Sequence, residues 1–138
     1  KGIALIQSFE KCRLDAYLPT PNDVPTIGWG STKGVQMGDT ITQAEADLRF
    51  LQDIAWVEDC VNKSVTVPLT PNEFDALCSL CFNIGCHAFG KSTLVKDLNL
   101  ENFDAAIQQF AVWNEQRGKV LAGLTQRRMA EARLFETA

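Results

Sequence analysis

The segment 13–34 limits the fold of this chain more than any other part of it. It contains three prolines and three glycines: Pro19, Pro21, Pro25, Gly28, Gly30 and Gly34. Prolines interrupt helices, and glycines favour tight turns. Short stretches at 14–17 and 25–30 have the composition of strands, with a proline-rich loop between them. The segment therefore predicts a small β-hairpin near the amino end.

Helical patterns surround this hairpin. Predicted helices run over 2–11, 42–60, 70–85, 92–98, 103–113 and 125–135, each with apolar residues about one turn apart. Thr42 with Glu45, and Thr70 with Glu73, have the spacing of capping boxes. The chain of 138 residues suits a single domain, 1–138, of α+β class that is mostly helical.

Composition and charge exclude several classes of protein. Apolar residues make up 46% and charged residues 22%, which is ordinary for a globular protein. The apolar runs are too short to cross a bilayer, so we expect no stable membrane association. The net charge of −4 disfavours nucleic acid as a partner. Five basic residues near the carboxyl end form either one basic face or a solvated helix surface: Arg117, Lys119, Arg127, Arg128 and Arg133.

Five cysteines are present: Cys12, Cys60, Cys78, Cys81 and Cys86. The odd number does not indicate a disulfide framework, and free thiols suit a reducing compartment. Cys78, Cys81, Cys86 and His87 are zinc-ligand types. However, Cys78 and Cys81 fall on the apolar side of a predicted helix. We therefore predict core thiols and no metal site.

Several motifs resemble those of the phage-type lysozymes, the endolysins of glycoside hydrolase family 24. In chain order the matching segments are SFEKCRLDAY from residue 8, PTIGWG from 25, ITQAEA from 41, VTVPLT from 65, EFDAL from 73, FNIG from 82 and GLTQRR from 123, followed by Glu131. The resemblance thus covers nearly the whole chain.

The resemblance implies a lysozyme-like fold, with a hairpin lobe and a helical lobe joined by the long helix and a cleft between them. It implies hydrolysis of the β-1,4 bond between N-acetylmuramic acid and N-acetylglucosamine in peptidoglycan. On this match Glu10 is the general acid, and Thr26 positions a water or lines the opposite face. Acid-assisted cleavage needs carboxylates and water, so no cofactor is expected.

The chain departs from the family where its second acid normally lies. Pro19 occupies the position of the family's aspartate, in a loop that is one residue longer. We predict that Asp23, the carboxylate within this loop, supplies the second acid. Alternatively Asp23 is a turn residue, and Thr20 or Asn22 holds the water. Asp15 is better explained as an outward-facing strand residue.

Further site residues come from the same match. The family pairs an arginine of its Arg-Arg motif with the catalytic glutamate, which implies this role for Arg127 unless it is a surface arginine. Asn83 either binds substrate acetamides or is a structural amide. Trp29 and Trp113 have the chemistry to stack on sugars, but packing is the better default for both.

Two other functions remain open. A catalytically silent relative that binds peptidoglycan would explain Pro19, although Glu10 and Thr26 are retained. A lytic transglycosylase would cut the same bond with one glutamate. We expect a monomer, made in the host cytoplasm and acting on the wall in the periplasm. No signal peptide is visible after Lys1, so a holin or a missing amino-terminal anchor is expected to provide access.

Overall fold

The computed structural model describes residues 2–19, 21, 23–116 and 119–137. In chain order its elements are α1 (Gly2–Phe9), β1 (Arg13–Tyr17), β2 (Thr26–Gly28), α2 (Gln43–Ser64), α3 (Pro71–Ile84), α4 (Cys86–Gly90), α5 (Thr93–Asn99), α6 (Phe103–Gln109), a 3₁₀ turn (Phe110–Val112), β3 (Glu115–Gln116), β4 (Lys119–Val120) and α7 (Ala122–Glu136). The chain divides into two compact units. Residues 6–56 are called the amino-terminal unit, and the described residues before and after them the helical unit.

The amino-terminal unit is built on the predicted hairpin. β1 and β2 pair antiparallel, with Tyr17 opposite Thr26 and an irregularity in the register towards the Arg13 end. All three residues of β2 are buried, whereas β1 is largely exposed. The core of the unit is apolar: Ile6, Ile27, Val35, Ala46, Phe50 and Ile54. The hairpin therefore packs through β2 and leaves β1 towards solvent.

Gly28 ends β2 in the left-handed region, at φ +64°. We expect Gly28→Ala to lower the free energy of unfolding by about 1–2 kcal/mol, because an L side chain is strained at this φ. The Cβ would lie 3.4 Å from Ala46 Cβ, an ordinary contact, so the effect is conformational. Urea unfolding followed by circular dichroism measures it.

Gly123 provides the control. It lies within α7, and a Cβ there would meet nothing within 4 Å. Gly123→Ala is expected to stabilise the chain by about 0.5–1 kcal/mol, because alanine is the better helix former. If both variants changed the free energy of unfolding in the same direction, the left-handed backbone conformation of Gly28 would be contradicted.

The helical unit surrounds one apolar core in which α3 is the most buried element. Its start is fixed by the predicted capping box: Thr70 Oγ1 accepts from Glu73 N at 3.1 Å, and Glu73 Oε1 accepts from Thr70 N at 2.7 Å. The helix ends at Gly85, whose N–H donates to Cys81 O at 2.8 Å. The predicted helix at 70–85 is therefore confirmed at both ends.

Other predicted boundaries shift by a few residues. α1 ends two residues early and α2 extends four residues further than predicted. The last helix, α7, begins at Ala122, three residues before the predicted start at 125. A second small hairpin, β3 with β4, was not predicted because two-residue strands carry no periodicity.

The expectation that the cysteines are free thiols is wrong for two of the five. Cys60 on α2 and Cys86 at the start of α4 form a disulfide, while Cys12, Cys78 and Cys81 are free. The odd number of cysteines gave no indication of this pair, since the two partners are 26 residues apart and meet only in the folded chain.

Among the described residues, no helix is both long and apolar enough to cross a membrane.

Candidate active site

Glu10 lies directly after α1 and before the hairpin. Its backbone N–H donates to Ile6 O at 2.9 Å, which continues the helical bonding for one more residue. The residue is half-buried. The backbone of the amino-terminal unit therefore fixes Glu10 at the junction between α1 and β1.

The pKa of Tyr17, at the end of β1, is shifted by the charged groups around it. The pKa of its half-buried phenol is raised, first by burial and then by the negative charges of Glu10 and Asp23. The Arg13 guanidinium opposes this shift and lies 4.3 Å from the centre of the ring. Because electrostatic effects decline with distance, both carboxylates lie close enough to act on one phenol. No motif or pattern in the sequence marks Tyr17 as a site residue.

The loop before β2 holds Asp23 and Thr26 by local hydrogen bonds. Asp23 Oδ1 accepts from Val24 N at 2.9 Å, which is a turn interaction. Thr26 is buried, and its hydroxyl donates to Val24 O at 3.0 Å. That bond uses the hydroxyl proton and leaves the oxygen to accept from another group, such as water. The alternatives Thr20 and Asn22 lie outside the described residues.

Trp29 and Trp113 both pack, as predicted. The Trp29 indole donates to Asp47 Oδ1 at 2.9 Å, and its ring lies 6.0 Å from that of Phe50. The hydrogen bonds from Trp29 and then Gln43 lower the pKa of Asp47. Trp113 packs against the core of the helical unit.

Arg127 belongs to a buried polar network between α3 and α7 in the helical unit. Its Nε donates to Glu131 Oε2 at 3.3 Å and its Nη2 to Ser79 O at 3.2 Å. Arg128 Nε lies 2.7 Å from Glu131 Oε1, and the Ser79 hydroxyl donates to Glu131 Oε2. Burial raises the pKa of Glu131, while the arginines and Ser79 oppose that shift. This network fixes the position of the Arg127 guanidinium.

The basic residues of the last third therefore do not form one surface. Arg127 and Arg128 are only 3% and 1% exposed. Both alternatives predicted for them, a basic face and a solvated helix surface, are therefore wrong. Lys119 and Arg133 are exposed, and Arg117 lies outside the described residues. The spacing of Glu131 from the two arginines, three and four residues, was the available signal for an ion pair within a helix.

Asn83 lies in the last turn of α3, with an exposed side chain. It is four residues after Ser79, so the two share a face of the helix. Ser79 is also a partner of Arg127. The structure thus places Asn83 about one helical turn after Ser79 in the helical unit, while Glu10, Asp23 and Thr26 belong to the amino-terminal unit. Their roles stay predictions.

Cys78 and Cys81 are buried core thiols, as predicted. Burial raises the pKa of Cys81 to about 12, and it raises that of Cys78 as well. Both are protonated at neutral pH and are poor nucleophiles for catalysis.

Comparison with known proteins decides the family. Residues 7–131 match the family model described as phage lysozyme. The chain belongs to the phage lysozyme family. Over its whole length it is 44% identical to an endolysin of Acyrthosiphon pisum secondary endosymbiont phage 1, covering 97% of that protein. It is 42% identical to the endolysin of Salmonella phage P22, with 97% of this chain and 94% of that protein covered.

The fold agrees with this assignment. The solved muramidase domain of SpmX from Asticaccaulis excentricus is 39% identical, with a TM-score of 0.88 over 99% of this chain and 95% of that one. The predicted lysozyme-like α+β class is confirmed, as is the predicted family. The chain is a lysozyme-type glycoside hydrolase that degrades peptidoglycan.

Proposed function

We propose that the chain hydrolyses the β-1,4 bond between N-acetylmuramic acid and N-acetylglucosamine with Glu10 as the general acid and Asp23 as the second carboxylate. The observation that carries the proposal is the placement of Glu10 directly after α1 and of Asp23 in the loop before β2, both within electrostatic reach of Tyr17. Two carboxyl groups on opposite sides of a glycosidic bond are what acid-assisted cleavage requires. Family membership supplies the substrate class.

Each residue has a separate task in this proposal. Glu10 protonates the oxygen of the leaving sugar as the glycosidic bond breaks. Asp23 takes a proton from the attacking water, whose oxygen bonds to the anomeric carbon. Thr26 Oγ1 accepts a hydrogen bond from that water, because its own proton is held by Val24 O. The net reaction adds water across the bond, with a hydrogen on the oxygen of the leaving sugar and a hydroxyl on the anomeric carbon.

The helical unit supplies binding groups. We assign to Arg127 a charge near the reacting acid, and to Asn83 hydrogen bonds to a substrate acetamide. The fixed guanidinium of Arg127 supports the first role, because a group held by Glu131 and Ser79 loses little freedom when it binds. The exposed amide of Asn83 supports the second.

The chain is proposed to act as a monomer on the wall in the periplasm, after synthesis in the host cytoplasm. The disulfide between Cys60 and Cys86 supports an oxidising site of action, because such bonds persist outside the reducing cytoplasm. The net charge of −4 supports the absence of a nucleic-acid partner.

The direct test is loss of turbidity of outer-membrane-permeabilised Gram-negative cells. Clearing by the native chain is the expected result. A folded chain that does not clear the cells but sediments with purified peptidoglycan would replace the proposal with a silent binding protein.

Asp23→Asn tests the second acid. We expect the rate of clearing to fall by about 10²–10⁴-fold, because a positioned proton acceptor contributes that much. Asp15→Asn is the matched control, since Asp15 is exposed on β1 and is expected to leave the rate unchanged. An unchanged rate for Asp23→Asn would remove Asp23 from the mechanism and leave it as a turn residue.

A further inference from the structure

Three sulfur atoms meet in the helical unit, and none of them belongs to a residue proposed for catalysis. The Sγ atoms of Cys60, Cys81 and Cys86 all lie within 4.8 Å of one another. In the structure Cys60 and Cys86 are joined as a disulfide, and Cys81 is the third, free thiol. All three cysteines pack in or against the core of the helical unit, and the proposed mechanism uses none of them.

We propose that reduction of the Cys60–Cys86 disulfide opens a three-thiolate site that binds one thiophilic d¹⁰ cation, of which Zn²⁺ is the physiological case. This differs from the zinc-ligand set considered from the sequence, because Cys60 replaces Cys78 and His87. A solvent molecule takes the fourth position.

The geometry around Cys81 and Cys86 already matches such a site. Their Sγ atoms are 3.9 Å apart. Two sulfurs of a tetrahedral zinc site are separated by about 3.8 Å, which follows from a Zn–S bond of about 2.3 Å. The four residues between these cysteines also fall within the usual spacing of zinc-binding pairs.

Local structure holds the ligands without a metal. Cys81 and Cys86 flank the Gly85 turn, where Gly85 N donates to Cys81 O. Cys60 projects from α2, so the three ligands come from three helices. Cys81 is buried, while Cys60 and Cys86 are half-buried. The cluster therefore combines one buried cysteine with two that are partly exposed.

The chemical steps balance. A trialkylphosphine gives two electrons to the disulfide, which breaks the S–S bond. Water supplies the oxygen of the phosphine oxide and the two protons of the resulting thiols. One divalent cation then replaces the protons of the three thiols, which are released to solvent. In the oxidised chain two of the three ligands are consumed by the disulfide, so the site does not form.

Cd²⁺ titration of the phosphine-reduced chain tests the proposal. We expect one Cd²⁺ to bind per chain, with a near-ultraviolet thiolate-to-cadmium absorption band that is lost when a chelator removes the ion. The oxidised chain is expected to show no such band. Equal bands in the oxidised and reduced chains, or none in either, would overturn the proposal.

Two matched variants identify the ligand. Cys81 and Cys78 are both buried cysteines of α3, and only Cys81 belongs to the cluster. Cys81→Ala is expected to weaken Cd²⁺ binding at least about tenfold, since loss of even an outer-shell partner weakens metal sites about 10–100-fold. Cys78→Ala is expected to bind as the native chain does. Equal weakening by both variants would show that the site is not this cluster.

Circular dichroism keeps the test decisive if reduction unfolds the chain. In that case Cd²⁺ is expected to restore the helical signal of the native sequence, because an ion that binds the folded state stabilises it. Cd²⁺ is not expected to restore the helical signal of the reduced Cys81→Ala variant. Absence of recovery in both would overturn the proposal. None of these readouts depends on enzymatic activity.

Discussion

Glu10→Gln is expected to lower the rate of peptidoglycan cleavage by about 10²–10⁴-fold, the usual contribution of a positioned general acid. Glutamine has nearly the same shape as glutamate, but it cannot deliver a proton to the leaving oxygen. The backbone hydrogen bond from Glu10 N to Ile6 O does not involve the side chain, so the substitution is expected to leave the end of α1 unchanged. Turbidity loss of permeabilised cells measures the rate, and circular dichroism checks the fold.

Glu45→Gln is the matched control in the same unit. Glu45 is exposed in the first turn of α2, where its N–H donates to Thr42 Oγ1 at 3.1 Å. Glutamine also serves at this capping position, so the helix is retained. We expect full activity from this variant. A Glu10→Gln chain that clears cells within tenfold of the native rate would exclude Glu10 as the acid.

Removal of the disulfide has the largest expected effect on stability. The Cys60–Cys86 bond closes a loop of 26 residues, and restricting such a loop in the unfolded chain stabilises the fold by about 3.5 kcal/mol. The double variant Cys60→Ala/Cys86→Ala is therefore expected to unfold more easily by that amount. Urea unfolding of the oxidised proteins, followed by circular dichroism, measures the difference.

Two comparisons isolate the cross-link from ordinary packing. Cys12→Ala removes a cysteine that belongs to no disulfide and is expected to change the free energy of unfolding much less. Repeating the experiment in phosphine, with metal ions excluded, is expected to bring the native chain close to the double variant. A difference that persists undiminished in reductant would mean that the two cysteines stabilise the fold by packing.

The elements that could be predicted from the sequence are those whose signals lie within a few neighbouring residues. The hairpin, α2 and α3 follow from proline and glycine positions, apolar periodicity and capping boxes, each a feature of a few neighbouring residues. The full capping box of Thr70 and Glu73 shows how completely such signals specify a helix start. β3 and β4 were missed because strands of two residues have no pattern of their own.

The errors concern contacts between distant residues. Nothing near Cys60 marks Cys86 as its partner. Arg127 donates to the backbone of Ser79, which lies 48 residues earlier on another helix, and Arg128 joins the same network through Glu131. Charge alone predicted either one basic face or a solvated helix surface for these arginines. Only the fold shows that Glu131 and Ser79 hold them inside.

The site was predicted through the family's motifs more than through physical pattern. Glu10 by itself is an ordinary glutamate at a helix end, and Asp23 was chosen because Pro19 excluded the usual position. The structure adds Tyr17, whose phenol lies under the influence of both acids. A tyrosine on a short strand carries no local sign of that role.

The most direct test of hydrolysis by the chain is the mass of the fragments released from purified peptidoglycan. Addition of water across the bond predicts muramic acid at the new reducing ends. Fragments lighter by one water, with anhydromuramic ends, would contradict the proposed mechanism and identify a lytic transglycosylase.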